Sequence, residues 1–186
     1  MKSVCFLIFF ILVTRATCFS QQNKLSPFSC NSLLTFDYAN IVSGGIKTGQ
    51  GVLGDISVQL GFDTQKAGLW DGGIFFVYGL GDFGMEPSAN NVGCTQPFDN
   101  IETPDKHQLF EYWYKHQFNS GYVIVGQSNV NAEFFHSNYG SKFINSNFNT
   151  QPDIAVNSHV PIFSKAALGV KFWYDLSSKI SVLGCI

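Results

Sequence analysis

The stretch from Gln108 to Phe134 constrains the fold more than any other part of the chain, because its side chains alternate between two chemical kinds. In its first arm one parity is mainly aromatic and consists of Phe110, Tyr112, Tyr114, His116 and Phe118. The other parity is mainly polar and consists of Glu111, Trp113, Lys115 and Gln117. Successive side chains of a β-strand point to opposite faces of its sheet. The stretch therefore predicts two strands, joined at Asn119-Ser120-Gly121, with one aromatic face and one polar face.

Two architectures would use such a strand in opposite ways. In a soluble β-sandwich the aromatic face would be a core packed against a second sheet, and the polar face would meet water. In a transmembrane β-barrel the aromatic face would meet lipid, since Tyr and Trp suit the headgroup region, and the charged face would line an aqueous lumen. The hairpin alone leaves both architectures open.

The first twenty residues have the pattern of a secretory signal peptide. Lys2 precedes an apolar run from Val4 to Val13, and small or polar residues follow, which predicts cleavage after residue 18 or 20. The run is too short for a membrane-spanning helix, which needs ~20 residues. Lipidation at Cys18 is disfavoured by its basic and β-branched neighbours. We therefore expect export, with a signal peptide over residues 1–20 and one domain over residues 21–186.

The composition agrees with membrane-spanning strands. Charged residues make up 13% of the sequence, against roughly 25% in an ordinary soluble domain, while aromatic residues reach 16%. Beyond the export segment there is no long apolar run, so any crossing of a membrane is expected to use strands. A formal net charge of −2 offers none of the basic surface that nucleic-acid binding requires.

Three cysteines, Cys30, Cys94 and Cys185, lie outside the export segment and have no C-x-x-C spacing. A Cys30–Cys94 disulfide would be allowed in an oxidising compartment, but the sequence cannot fix connectivity. Unpaired thiols without a catalytic role are the favoured interpretation.

Further stretches show the same two-residue period. They are Leu33–Asn40, Gly51–Phe62, Ile74–Gly81, Ala166–Asp175 and Ile180–Ile186, the last being only the beginning of a strand. In the third stretch the parity that contains Gly79 is predicted to face inward, because small side chains leave room there. In the fourth, the polar parity carries Lys171, Trp173 and Asp175.

The predicted connections alternate in length. They are long after the first, third and fifth strands and short after the second, fourth and sixth. Outer-membrane barrels have this asymmetry, with short periplasmic turns and longer external loops, whereas a sandwich has no reason for it. The pattern favours an all-β fold, an antiparallel transmembrane β-barrel of the kind that spans outer membranes.

Neither a metal site nor catalysis is predicted. The loop from Asp82 to Asp105 is acidic, with no base before Lys106, but its spacing matches no calcium-binding pattern, so a solvated loop is favoured. No G-x-S-x-G or H-E-x-x-H motif occurs, so we expect no enzyme and no cofactor. Solvated or lumen-lining positions are expected for the four histidines, His107, His116, His136 and His159.

Five segments follow one another in a characteristic order and spacing: LLTFDYANIVSGG, GLWDGGIFFVYGLGDFG, QLFEYWYKHQFNSGYVIVGQSNVNAEF, FINSNF and ALGVKFWYD. Over about Leu33 to Asp175 this succession resembles the amino-terminal half of the carbohydrate-selective porins of the OprB type. The resemblance implies a barrel of about sixteen strands in the outer membrane of a Gram-negative bacterium, with lipid around it and small sugars diffusing through it. It also implies an external loop that folds inward, for which 129–162 is the candidate. Porins often form homo-oligomers, but no interface is evident in the sequence.

Two features depart from that family. Gln127 stands where the family usually has an arginine, which removes a fixed positive charge from the expected pore wall. The chain also offers six strands and the start of a seventh, whereas a closed barrel needs an even number and leaves no open edge. We therefore expect a truncated porin with an incomplete barrel of about six to seven strands. The alternative is a soluble, exported β-sandwich that binds carbohydrate on an aromatic face.

The candidates for contacting sugar are the residues of the hairpin's expected inner side and of the loop after it: Glu111, Trp113, Lys115, Gln127, Asn129, Asn131 and Glu133. Amides and carboxylates would replace water around sugar hydroxyls, and an aromatic ring would take the apolar face of the sugar, weakly enough for release. Two structural roles stay open: a Glu111–Lys115 ion pair that only braces the wall, and a Trp113 that packs against the loop.

Overall fold

The computed structural model describes residues 26–134, 137–148, 157, 161 and 163–186. The predicted signal peptide, His136 and His159 lie outside these residues. Within them, no helix combines the length and the apolar character needed to cross a membrane.

The described chain forms one antiparallel sheet in which each strand pairs with the next in sequence. Its seven strands are β1 (Phe28–Ile41), β2 (Gly49–Asp63), β3 (Gly73–Gly84), β4 (Lys106–Phe118), β5 (Gly121–Ser128), β6 (Ala167–Ser177) and β7 (Ile180–Cys185). The connections contain a π-helical turn (Ser88–Val92), helix α1 (Asn131–Phe134) and 3-10 turns at Gly140–Lys142 and Ser146–Phe148. Within the described residues β1 pairs only with β2, and β7 only with β6, so the sheet is not closed.

The two faces of the sheet differ sharply in polarity. On β2, Val58 and Leu60 are 42% and 49% exposed, while Asp55, between the same flanking strands, is buried. On β6, Leu168 is 73% exposed and Lys171 only 6%. We call the side of Asp55 and Lys171 the interior face and the opposite side the outer face. Apolar side chains therefore face outward and several charged ones inward, the reverse of a soluble protein.

No second sheet covers the aromatic parity of β4 in the part of the chain that the structure describes. Tyr112 is 40% exposed on the outer face. The sandwich alternative required this parity to be a core, so that alternative is wrong for these residues.

A row of aromatic rings runs across the outer face near one end of the strands. Its ring centroids are 4.9 Å apart for Phe28 and Phe62, 6.4 Å for Phe62 and Phe75, and 4.8 Å for Phe75 and Tyr114. Trp70 Nε1 donates to Tyr114 Oη at 2.9 Å, which adds an indole to the row. We call these five residues the outer aromatic row.

Two described histidines also belong to this outer parity. His116 Nδ1 lies 3.1 Å from Tyr114 Oη, and His107 pairs with Gly81 on the outer side of β3. Paired residues of neighbouring strands point to the same face, so neither histidine lines the interior. Of the two predicted positions, solvated or lumen-lining, the lumen-lining one is wrong for both, and both side chains are exposed.

The sheet also corrects the predicted inner side of β3. The parity that contains Gly79 lies on the outer face with Phe75 and Val77, which are 43% and 41% exposed. The opposite parity, with Leu80, is in register with the polar residues of β2, since Leu80 pairs with Ser57. The polar residues of the neighbouring strand, and not the small residues of β3, decide which side faces inward.

The connections fall at two ends of the sheet. The loop end contains residues 42–48, 85–105 and 129–166, and the turn end contains residues 64–72, 119–120 and 178–179. The predicted alternation of lengths holds for the last four connections but is wrong for the first two, because 64–72 is longer than 42–48. The hydroxyl group of buried Thr64 holds this turn together, because its Oγ1 is a donor that lies 2.7 Å from Trp70 O and 3.0 Å from Gly73 O.

Candidate functional site

A β-bulge in β4 shapes the centre of the interior face. The register between β3 and β4 shifts at Tyr78 and Gly79, which leaves Phe110 as an extra residue on β4. Because of this residue, both Phe110 and Glu111 point to the interior. Phe110 is 1% exposed, and its ring lies edge-on to those of Tyr78 at 5.1 Å and Phe163 at 5.9 Å. The prediction that Phe110 belongs to the lipid-facing aromatic parity is therefore wrong.

Glu111 connects the wall of the sheet to the loop that follows β5. Its Oε2 accepts hydrogen bonds from Trp113 Nε1 and from the backbone N–H of Asn129, each at 3.1 Å. Lys115 turns elsewhere, with its Nζ 4.0 Å from the centroid of the Tyr122 ring. Among the described residues Glu111 and Lys115 form no ion pair, so that bracing role is not supported.

Trp113 packs against a strand neighbour. Its ring stacks on that of Phe76, with centroids 4.6 Å apart and an interplanar angle of 22°. On its other side, the same row of the sheet continues with Gly126 on β5 and Gly169 on β6. Since glycine has no side chain, the interior surface beside Trp113 is formed by main chain.

An ion pair joins helix α1 to the wall. Lys171 Nζ lies 2.9 Å from Glu133 Oε1, and the two side chains are 7% and 30% exposed. Lys171 was missing from the sequence candidates, although it is the cation on the polar parity of β6. The sequence did contain a signal for Lys171, because a lysine alternates there with apolar residues, which places it on the face opposite to the apolar one.

The remaining two candidates order the start of the loop. Asn129 Oδ1 accepts from the backbone N–H of Asn131 at 3.0 Å, and Asn131 Nδ2 donates to Pro161 O at 2.8 Å. Asn131 thus joins the outgoing and returning parts of the loop, close to the Glu133 contact with β6. These side chains hold the loop together, in addition to facing the interior.

The loop returns against β4. Ser164 O accepts hydrogen bonds from Lys106 Nζ at 3.0 Å and from Gln108 Nε2 at 2.7 Å, and Phe163 packs on Phe110. The described parts of residues 129–166 therefore contact β6 on one side and β4 on the other. These contacts place the described ends of the loop against the interior face, and the inward fold of 129–162 as a whole stays a prediction.

Gln127 lies on the wrong face for a pore-lining residue. It is in register with Tyr112 on β4 and Leu168 on β6, both exposed on the outer face. Its Nε2 donates to Leu109 O at 3.2 Å and to Phe110 O at 2.9 Å, the carbonyl groups beside the bulge. The prediction for Gln127 is therefore wrong because the interior parity of β5 falls on residues 126 and 128.

Asp82 is the most unusual polar residue of the interior face. It lies within β3, not in the loop, is 1% exposed, and pairs in register with Asp55 on one side and Lys106 on the other. Neither carboxylate oxygen of Asp82 has a hydrogen-bond partner among the described residues. Such a group is costly to bury, so Asp82 is a point of local instability.

Two acids of the loop 85–105 are structural. Asp99 Oδ1 accepts from the backbone N–H of Ile101 at 3.1 Å, and Glu102 accepts from the Ser88 N–H at 2.8 Å and from the Ser88 hydroxyl. Burial raises the pKa of both carboxyl groups, more than these hydrogen bonds lower it. The prediction of a solvated acidic loop is wrong for Asp99 and Glu102.

The three connections at the loop end are tied together. Asn91 O accepts from the backbone N–H of Ile46 at 2.6 Å, which joins 42–48 to 85–105. Asn100 donates from its backbone to Ile144 O at 2.8 Å and from Nδ2 to Phe143 O at 3.2 Å. The loop end is therefore one packed layer above the interior.

The residues that the structure describes contain no cluster of metal-ligating side chains and no disulfide. No group of three or more His, Cys, Asp or Glu side chains is placed there to bind a metal ion. Cys30, Cys94 and Cys185 are free thiols.

A cavity of about 540 Å³ opens at the turn end. Its polar lining consists of Asp63, Gln65, Asp71, Gln117 and Asn119. Pockets for small molecules commonly have volumes of roughly 300–1,000 Å³.

Comparison with known proteins agrees with this geometry. A solved structure, the high-pH structure of Pseudomonas putida OprB, matches the fold with a TM-score of 0.70 at 14% sequence identity. The match covers 82% of this chain and 38% of that one, so the chain spans well under half of its length. A search among curated proteins gave no match.

The family comparison is more specific. The model of the carbohydrate-selective porin, OprB family, matches residues 47–186, which is most of the chain. Porins are channels and not a class of enzyme. The chain, an open antiparallel sheet in its described residues with an apolar outer face and a polar interior face, belongs to the carbohydrate-selective porin family, OprB type.

Proposed function

We propose that this chain forms part of the wall of an outer-membrane porin through which small sugars diffuse passively. One observation carries the proposal, namely the opposite polarity of the two faces. Leu60 and Leu168 are exposed on the outer face, while Asp55 and Lys171 are buried on the interior one. Lipid outside and an aqueous passage inside satisfy both faces.

The outer aromatic row supports a membrane boundary at the turn end. Rings with polar tips, such as Trp70 and Tyr114, suit the headgroup region, and girdles of this kind border the apolar band of outer-membrane barrels. The strands β1 to β4 each exceed the ~9–11 residues that a tilted strand needs to cross a bilayer. Outer-membrane lipid is therefore a proposed partner.

The interior face supports sugar as the permeant. We propose that the passage is lined by Glu111, Trp113, Lys115, Asn129, Asn131 and Glu133. Gln127 is not among these lining residues, because it faces outward. A sugar would exchange water for these carboxylate, amide and ammonium partners and would lie against the indole ring. Selection is then steric and polar, without catalysis.

Export and assembly complete the proposal. Residues 1–20 act as a cleaved signal peptide, and residues 21–186 form the membrane domain. Each unpaired backbone group at the edges of β1 and β7 would cost several kcal/mol in lipid. Further strands, from the same protein or from another copy, are therefore proposed to close the sheet.

Cell fractionation and liposome swelling test this function together. We expect the full chain in the outer-membrane fraction, and we expect proteoliposomes to swell faster in a monosaccharide than in a large oligosaccharide. Lys115→Met, on the interior face, should change the swelling rate, whereas Tyr112→Phe, on the outer face of the same strand, should not. Recovery from a soluble periplasmic fraction, or membrane insertion without sugar-dependent swelling, would contradict the proposal.

A further inference from the structure

A second aromatic and polar group lies at the turn end of the interior face, apart from the Glu133–Lys171 pair. Trp173 Nε1 donates to Asp175 Oδ1 at 2.9 Å, and Ser181 Oγ donates to the same oxygen at 2.6 Å. Two hydrogen bonds thus fix the carboxylate, and the carboxylate fixes the plane of the indole ring. None of these residues was a candidate in the sequence.

The group repeats the arrangement at Trp113. There the indole Nε1 donates to Glu111, two residues earlier on β4, and here it donates to Asp175, two residues later on β6. Both tryptophans are half-buried, and the two sites differ in the aromatic neighbours of the ring. Trp113 has one face covered by Phe76, whereas no aromatic ring lies against Trp173 among the described residues.

The surroundings of Trp173 are polar and continuous across three strands. Tyr122 pairs with Trp173 on one side and with Gln117 on the other, so the three residues form one row of the interior face. Gln117 also lines the cavity at the turn end. The row therefore leads from an amide through a phenol to an indole and continues to Leu183 on β7, while Asp175 lies two residues after Trp173 on β6.

From this placement we propose that Trp173, Asp175 and Ser181 form a second binding position for a neutral monosaccharide. An indole ring that is half-buried and stacked on no other described ring can take the apolar face of a pyranose, and a fixed carboxylate accepts hydrogen bonds from two hydroxyl groups. Since short turns face the periplasm in outer-membrane barrels, this position lies at the exit of the passage. The inference rests on the proposed function and adds an exit site to it.

Tryptophan fluorescence can test the site directly, because the chain has three tryptophans. The double variant Trp70→Phe with Trp113→Phe leaves Trp173 as the reporter in the detergent-solubilised full chain. We expect D-glucose to change its emission saturably, and glycerol at matched osmolarity to leave it unchanged. Adding Asp175→Asn should weaken apparent glucose affinity by about tenfold, and Ser181→Ala by about threefold.

Three further proteins separate the inference from the proposed function. Wild-type emission is titrated with and without Asp175→Asn, in case the double variant does not reach the membrane. A second reporter, Trp70→Phe with Trp173→Phe, records binding at Trp113. If glucose is detected at Trp113 but not at Trp173, and Asp175→Asn changes nothing, the exit site is refuted while the porin function stands. If no protein responds to glucose and liposomes do not swell, the proposed function is refuted and the exit site with it.

Discussion

The outer and interior faces are built from adjacent residues of the same strands, yet they are held by different interactions. On the outer face the contacts are between rings, as in the Phe75–Tyr114 pair at 4.8 Å. The interior face also has ring contacts, such as Trp113 on Phe76, but it adds charged and directional ones, as in the Glu133–Lys171 ion pair and the hydrogen bonds to Glu111. The outer face should therefore tolerate any apolar shape but no charge, while the interior should tolerate charge but depend on particular partners.

A charge placed on either face of β2 tests this contrast most strongly. Val58→Arg puts a guanidinium on the lipid side and should destabilise the membrane-inserted sheet by about 2–4 kcal/mol. Gln59→Arg, one residue along and facing the interior, should cost much less. Outer-membrane yield and urea unfolding in detergent measure both. Equal effects of the two substitutions would mean that Val58 does not face lipid.

Removing one partner of the interior ion pair should have the next largest effect. Glu133→Gln leaves Lys171 buried without its counter-ion and should lower stability by about 2–3 kcal/mol. The double variant Glu133→Gln with Lys171→Met should recover most of that loss. Thermal unfolding in detergent compares the three proteins, and a double variant no more stable than the single one would argue against the pair.

Asp82→Asn should increase the stability of the protein, unlike the two preceding substitutions. The asparagine keeps the shape of the side chain but removes a buried charge whose oxygens have no hydrogen-bond partner in the described structure, and should raise stability by about 1–2 kcal/mol. The same unfolding measurement applies. A loss of stability would instead show that attraction between Asp82 and Lys106 outweighs the cost of burial.

Gln127→Ala should affect stability without affecting sugar passage. The substitution removes the hydrogen bonds to Leu109 O and Phe110 O beside the bulge and should cost about 1 kcal/mol. Because Gln127 faces outward, swelling rates should match those of the wild type. A change in sugar preference at unchanged stability would place this side chain in the passage after all.

The smallest expected effect is the response of the loop 85–105 to pH. Raised pKa values for Asp99 and Glu102 mean that the folded loop binds protons more tightly than the unfolded one. Its stability should therefore fall as pH rises from the ordinary carboxyl range, ~4, through the raised values, and be regained on acidification. Amide hydrogen exchange of the loop, corrected for intrinsic rates, should slow by about twofold to threefold at the acidic end of that window. The Asp99→Asn, Glu102→Gln variant should lack this dependence.

Much of the fold was predictable because a strand has a fixed period of two. The turn at Asn119-Ser120-Gly121 and the antiparallel order of neighbouring strands followed from local pattern, and the structure confirms both. The family resemblance is confirmed as well. Alternation shows that a strand has two faces, but the side that faces inward is decided by its neighbours, which is why β3 was assigned the wrong way round.

The site was less predictable because small local irregularities move side chains between faces. One extra residue at Phe110 brings two successive side chains to the interior, and no local sequence motif predicts this bulge. Gln127 then caps the carbonyl groups at that bulge. Lys171 and Trp173 could have been found, since a charged or amphipathic residue on the polar parity of β6 needs an interior partner.

Gly126 has a consequence for how this passage can change. Its φ is +137°, and a Cβ atom built on it would lie 2.3 Å from Tyr112 O, so a larger residue would strain the backbone and clash with it. The width beside Trp113 is thus fixed by the course of the main chain. Substitution cannot gradually narrow the proposed passage at this position, so we expect any adaptation to a smaller or differently shaped sugar to come from the facing loop or from the lysines and carboxylates around it.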